Sequence, residues 1–219
     1  MPTTIAPRID LGVDQWVVLP ATWEIYTGLS AARGEKSRPR YIFVDGRLTV
    51  VSPGCPHESV KTRIGGMIEE MLTSLRIPFK GLGSVTLLTA RFPRTGVEAD
   101  ETYFLSDIAR VHRKRDLVVG EDPAPDLVVE VVISHPSHDS LEAYRRFGVK
   151  EVWLVTETGI EFLVASPEGA FAPSPFSGLL PFLNSEEITP WALREDPEGD
   201  VEARIQFRAW VTETLVPRV

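Results

Sequence analysis

The chain has a single cysteine, Cys55, among 219 residues. One thiol excludes an internal disulfide and any cluster of thiolate metal ligands, and it suits a reducing compartment. Long apolar runs are missing as well: none approaches the roughly 18 residues needed to cross a bilayer. The start, Met1-Pro-Thr-Thr-Ile-Ala-Pro-Arg8, has no basic region followed by an apolar stretch, so no signal peptide is read. The expectation is a cytoplasmic protein with no membrane contact. Positive charge is also in short supply. The 23 Lys and Arg against 31 Asp and Glu give a formal net charge of −8, which argues against broad adhesion to nucleic acid but not against a local contact.

Several catalytic signatures are absent too. No Gly-x-Ser-x-Gly elbow occurs, so a serine nucleophile of that type is excluded, and Ser84 after Gly81-Leu-Gly83 does not supply one. There is no Gly-Lys-Ser or Gly-Lys-Thr phosphate loop and no dinucleotide fingerprint. His112, His135 and His138 lack zinc-type spacing with acidic partners, and His57 reads as a loop or cap histidine.

What remains is the composition of an ordinary globular protein, 43% apolar and 25% charged, with enough chain for a sizeable core. Repeats and composition breaks are lacking, and the pattern of elements predicts one α/β domain over residues 1–219 with mixed strands. Residues 1 to about 14 read as an irregular arm. Thr22 caps a helix from Trp23 to Ala32. Asp45-Gly46 between Tyr41–Val44 and Arg47–Val51 predicts a hairpin with a tight type I′ turn. Val60, Ile64, Met67, Ile68, Met71, Leu72 and Leu75 keep a helical period over His57 to Leu75. Ser84–Ala90 and Val97–Leu105 read as strands, and Asp126 to Val155 as strand, helix, strand. A strand pair at Gly159–Ala165 and Ala170–Ala172 follows, then a Pro- and Gly-rich surface from Pro173 to Asn184. Val201 to Leu215 is helical by spacing.

Two strands carry carboxylates where apolar residues are expected. Glu130 lies in Asp126-Leu-Val-Val-Glu130-Val-Val, a run without polar alternation that suits a central strand covered on both faces. Burying a carboxylate costs several kcal/mol unless a cation, proton or donor compensates it. Glu98 and Asp100 lie roughly thirty residues upstream. Brought together, Asp100 and Glu130 would form a hard-cation site suited to magnesium or manganese; pairing of Glu130 with an arginine is the structural alternative. Glu58 in the first turn of the long helix is by itself ordinary complementarity to the helix dipole. The basic segments 33–40 and 110–115 read first as solvated faces, although Arg110, Arg113, Lys114 and Arg115 could contact phosphates if they lie beside the carboxylates.

As an ordered set, these residues resemble the Uma2 family. The matching stretches are Pro39–Pro53, His57-Glu58, Leu82–Leu87, Gly96–Leu105, Pro125–Val131 and Leu141–Trp153, spanning roughly residues 20 to 165. The resemblance implies a restriction endonuclease-like core, a mixed β-sheet flanked by helices, and a DNA endonuclease requiring Mg²⁺ or Mn²⁺. It assigns the metal to Asp100, Glu130 and the Val131 carbonyl, and makes Glu58 an outer carboxylate that orients water. It also implies a lysine to stabilise charge at the phosphate. The usual lysine position is Val132, and the alternative one ahead of Leu141-Glu is Ser140; neither can supply a cation. Ala99 replaces the proline of Pro-Asp, which alters only backbone shape. Lys61 and Arg145 are the candidate substitutes. The departure implies a slow, rewired or inactive site, the last being a nuclease-fold module that binds nucleic acid or protein. Two-fold pairing of chains, with Trp210 on the tail helix, is left open beside core packing of that helix.

Overall fold

A computed structural model describes residues 11–219 apart from 35, 37, 92, 115, 116, 134 and 198. Most of the expected arm, and Arg115 of the basic segment, lie outside the described residues. Strand β1 (Gln15–Pro20) has no counterpart among the sequence expectations. It is followed by α1 (Trp23–Arg33), where the Thr22 side chain accepts a hydrogen bond from the Ile25 amide at 3.4 Å, relieving one orphan donor of the first turn. Strands β2 (Arg40–Val44) and β3 (Arg47–Ser52) form the expected hairpin. Asp45 and Gly46 both take positive φ, 49° and 77°, as a type I′ turn requires. Helix α2 (Cys55–Ser74) has Pro56 in its first turn, where a missing N–H costs nothing, and buries Ile64, Met67, Ile68, Met71 and Leu72 along one stripe.

The next segment departs from expectation. After the short β4 (Lys80–Gly81) and β5 (Thr86–Thr89), the stretch expected as one strand is two, β6 (Thr95–Glu98) and β7 (Glu101–Phe104). Strand β6 pairs with β2 and β5, whereas β7 pairs with β4 and with β8 (Leu127–Val131). The chain therefore crosses from one sheet to another at Ala99-Asp100. Burial on both sides of the crossing hides it from any reading of apolar alternation.

A single helical turn, α3 (Ile108–Val111), precedes β8; then come α4 (His138–Phe147), β9 (Glu151–Thr156), β10 (Gly159–Ala165), β11 (Phe171–Ser174), α5 (Ser185–Ala192) and α6 (Asp200–Trp210). The first sheet has the order β1-β3-β2-β6-β5 and is antiparallel throughout. The second runs β11-β10-β9-β8-β7-β4; only β8 and β9, joined through α4, are parallel. A mixed α/β architecture is thus present, built on two sheets with helices around them.

Core packing explains why β8 is almost uniformly apolar. Leu127, Val129 and Val131 pack with α2, α5 and α6 residues, while Val128 packs with Tyr144 of α4 and with Ile42, Val44 and Val97 of the first sheet. Both faces are covered, so neither can be polar without a compensating partner. Leu180 and Leu183, in the stretch expected as surface, are buried in the same core, and α5 follows them. The tail helix packs inward: Trp210 lies 5.7 Å from Trp191 and 5.5 Å from Phe207, ring centre to ring centre. Among the described residues, no helix is long and apolar enough to cross a membrane.

Candidate active site at the crossing of the two sheets

The ladder between β7 and β8 pairs Glu101 with Val129 and Thr102 with Val128. One step further along the same register Asp100 stands opposite Glu130, and directly opposed residues of an antiparallel pair share a face. That face is turned toward α4 and the first sheet. Asp100 Oδ2 accepts a hydrogen bond from the Val131 amide at 2.7 Å, which brings the Val131 backbone into the same site. Both carboxylates are buried.

Each acid has its own partners. Glu130 Oε2 accepts from the Tyr144 hydroxyl at 2.5 Å, and His135 Nε2 lies 3.9 Å from Oε1. Burial opposes ionisation of Glu130, but His135, Tyr144 and Ser140 together outweigh it and hold the carboxyl below its usual range. Burial and the adjacent Glu130 charge push Tyr144 well above its ordinary value, so it stays protonated and donates. Ser140 is completely buried. Its hydroxyl donates to the Ser137 carbonyl at 2.9 Å, close enough to Glu130 to favour the ionised carboxylate.

Asp100 is neutralised by a residue of the first sheet. The Arg40 guanidinium forms an ion pair with Asp100 Oδ1, reaches Glu58 Oε1 at 3.0 Å and stands 3.9 Å from Glu98 Oε1. The period of two along β2 accounts for this, because Arg40 is in phase with Ile42 and Val44, which face the second sheet. His57 Nε2 is 3.3 Å from Asp100 Oδ2, and its Nδ1 is 3.3 Å from Glu58 Oε1. Burial and the Arg40 charge push His57 down to about 4, so it is neutral at pH 7. Neither Arg40 nor the two histidines figured among the expected site residues. Arg40 was read as the end of a basic connector, and only its place in β2 puts it in phase with the buried face. For His57, in the first turn of α2, and for His135 the sequence carried no signal, because their contacts depend on how segments distant in sequence pack together.

Glu58 marks the open side, with 43% of its side chain exposed. Burial raises its affinity for a proton, but Arg40, Lys61 and His57 outweigh that and hold it below the usual range. Lys61 Nζ is 3.5 Å from Glu58 Oε2 and donates to Ser84 Oγ at 2.8 Å; Ser84 in turn donates to the Asp100 carbonyl at 3.1 Å. Of the two candidate substitutes for the lysine, Lys61 therefore reaches the site. Arg145 is held by Glu142 at 2.7 and 2.8 Å on the outer side of α4. Ser84 also lines a groove of about 530 Å³ with Thr86, Leu88, Lys114 and Leu117. In the basic segment, Arg110 pairs with Asp107 at 3.6 Å and Lys114 with Asp122 at 2.8 Å, so among the described residues both are engaged away from the carboxylates.

The donor set suits a hard cation. By formal charge, Glu58, Glu98, Asp100 and Glu130 face Arg33, Arg40 and Lys61, with Arg33 paired to Glu98, one positive charge short of balance. Among the described residues no three His, Cys, Asp or Glu side chains converge as a closed metal cage. Magnesium does not need one, since it is commonly held by one or two carboxylates and keeps several waters.

Comparison with known proteins places the chain in context. A family model named Uma2, described as "Putative restriction endonuclease", matches residues 23–198. Among solved structures, the chain is similar to a crystal structure from Anabaena variabilis titled as a putative nuclease belonging to DUF820. The identity is 14%, the TM-score 0.48, and the match covers 83% of this chain and 96% of that one. No curated protein matches.

Proposed function

The chain belongs to the Uma2 family, and from that premise we propose that it is a DNA endonuclease dependent on Mg²⁺ or Mn²⁺. Asp100 and Glu130 would hold the ion, and the Val131 carbonyl would add a further oxygen. The observation that carries the proposal is the pairing of two buried acids, from distant parts of the chain, at opposed positions on one sheet face.

When bound, a divalent ion polarises the scissile phosphate and lowers the pKa of water. The remaining work belongs to the protein. Glu58, ionised and half open to solvent, orients the attacking water. Tyr144 fixes the Glu130 carboxylate, and the Val131 amide fixes Asp100, so both acids are held without rearrangement. Neutral His57 stands between Asp100 and Glu58, with a single ring N–H to donate to one of them. Lys61 supplies positive charge next to Glu58 in the place of the absent lysine.

A non-catalytic reading, in which the chain binds nucleic acid or a protein partner without cutting, is favoured by Ser140 at the lysine position. Cleavage of supercoiled plasmid and single-stranded DNA with Mn²⁺ separates the two. Cutting that disappears in both Asp100→Asn and Glu130→Gln supports the endonuclease. DNA retention by the wild-type chain, with the DNA left intact, supports the binding module.

A further inference from the structure

Arg40 holds the position that a cation at Asp100 would need. Its guanidinium lies against Asp100 Oδ1, with 8% of the Arg40 side chain and 3% of the Asp100 side chain exposed. The other Asp100 oxygen is already engaged by the Val131 amide and faces His57. A divalent ion entering at Asp100 therefore meets a like charge at short range in a site where water screens little. Arginine cannot relieve that repulsion by losing a proton, since it remains charged at any ordinary pH. It can relieve it only by moving.

A second resting place is already in contact. Glu58 Oε1, 3.0 Å from Arg40 Nη2, lies on the solvent side of the site, and Glu98 Oε1 is 3.9 Å from Arg40 Nε. A guanidinium carries five donors in a planar fork, so it can leave Asp100 while staying paired with Glu58.

Resting on the metal-dependent reading above, we propose that Arg40 is a built-in counter-cation that a divalent ion must displace from Asp100. The metal-free site is closed by the protein's own charge, and the metal affinity measured for the chain is lowered by the work of moving Arg40. Displaced toward Glu58, the guanidinium stands at the open side of the site.

The test is calorimetric titration of Mn²⁺ into the wild-type chain and into Arg40→Gln, alongside thermal melts with and without Mn²⁺. The expected result is about tenfold or greater tightening in Arg40→Gln, equivalent to about 1.4 kcal/mol. A melting temperature below wild type without metal, raised more by Mn²⁺ than wild type is, should accompany it. Equal or weaker binding by Arg40→Gln, with wild type binding, overturns the displacement and leaves the metal site standing. Absence of binding to either chain overturns both. Should Arg40→Gln not fold, the wild type answers alone. The Arg40 Nε–Hε resonance, assigned by its loss in Arg40→Lys, must move as Mg²⁺ is added; binding heat with an unmoved resonance overturns the proposal.

Discussion

The Val131 amide donates to Asp100 Oδ2 across 2.7 Å, so the residue at which the chain leaves the first sheet is fastened to the strand carrying Glu130. Asp100 serves this join twice, as acceptor for a backbone donor of β8 and as counter-charge for Arg40 of β2. Asp100→Asn leaves Arg40 buried without its closest charge. Breaking a buried pair from one side costs about 3–5 kcal/mol; urea denaturation of the metal-free protein should show a loss of that size, together with loss of Mn²⁺ binding. A stability within 1 kcal/mol or so of wild type would mean that the ion pair does not hold the sheets together.

Tyr144→Phe removes the hydroxyl that donates to Glu130 Oε2 at 2.5 Å and keeps the ring in the core. A buried acceptor stripped of its donor costs about 1–3 kcal/mol. The expected outcome is a loss of unfolding free energy in that range with an unchanged denaturant slope. An unaffected stability would show that Ser140 and His135 suffice for Glu130.

Acid should weaken the outer face of α4 through Glu142. Its donors Arg145 and Arg146 hold that carboxyl down to about 2, against an ordinary 4.5. A depressed folded-state value contributes stability above the unfolded value and loses it as pH falls through the folded one. The contribution is thus complete above pH 4.5 and fades toward pH 2. Comparing wild type with Glu142→Gln, the gap in urea midpoint should be widest near neutrality and close as pH approaches 2; a gap independent of pH would contradict the assignment.

Restoring a cation tests the lysine position directly. Ser140 is wholly buried near Glu130, with its hydroxyl donating to the Ser137 carbonyl at 2.9 Å, so Ser140→Lys places an ammonium near a carboxylate that can pair with it. Recovery of one electrostatic donor is worth on the order of 10²–10³ in rate. Single-turnover plasmid cleavage with Mn²⁺ should rise by about that factor, and an unchanged rate in a folded variant would mean that Lys61 or Arg40 already supplies the charge.

Local chemistry made much of the fold legible. The Thr22 cap, the Asp45-Gly46 turn and the α2 stripe are decided by residues within a few positions of each other, and all three appear where expected. The β8-α4-β9 unit was readable because a two-sided strand announces itself as an uninterrupted apolar run. The crossing at Ala99-Asp100 was not, since both β6 and β7 are buried and the change of partner leaves no trace in hydropathy. Within the site, Glu130 stood out as a charge where none belongs. Arg40 did not, because a basic residue after a polar connector looks solvated until the facing sheet is known.

Asp100 and Glu130 ride on the second sheet, while Arg40 rides on the first. A sliding of one layer over the other by even a fraction of a bond length alters the spacing of guanidinium and acid. The candidate site is in this sense also a rivet between the layers: whatever loosens the layers blurs the site, and an ion that displaces Arg40 from Asp100 removes one tie between them.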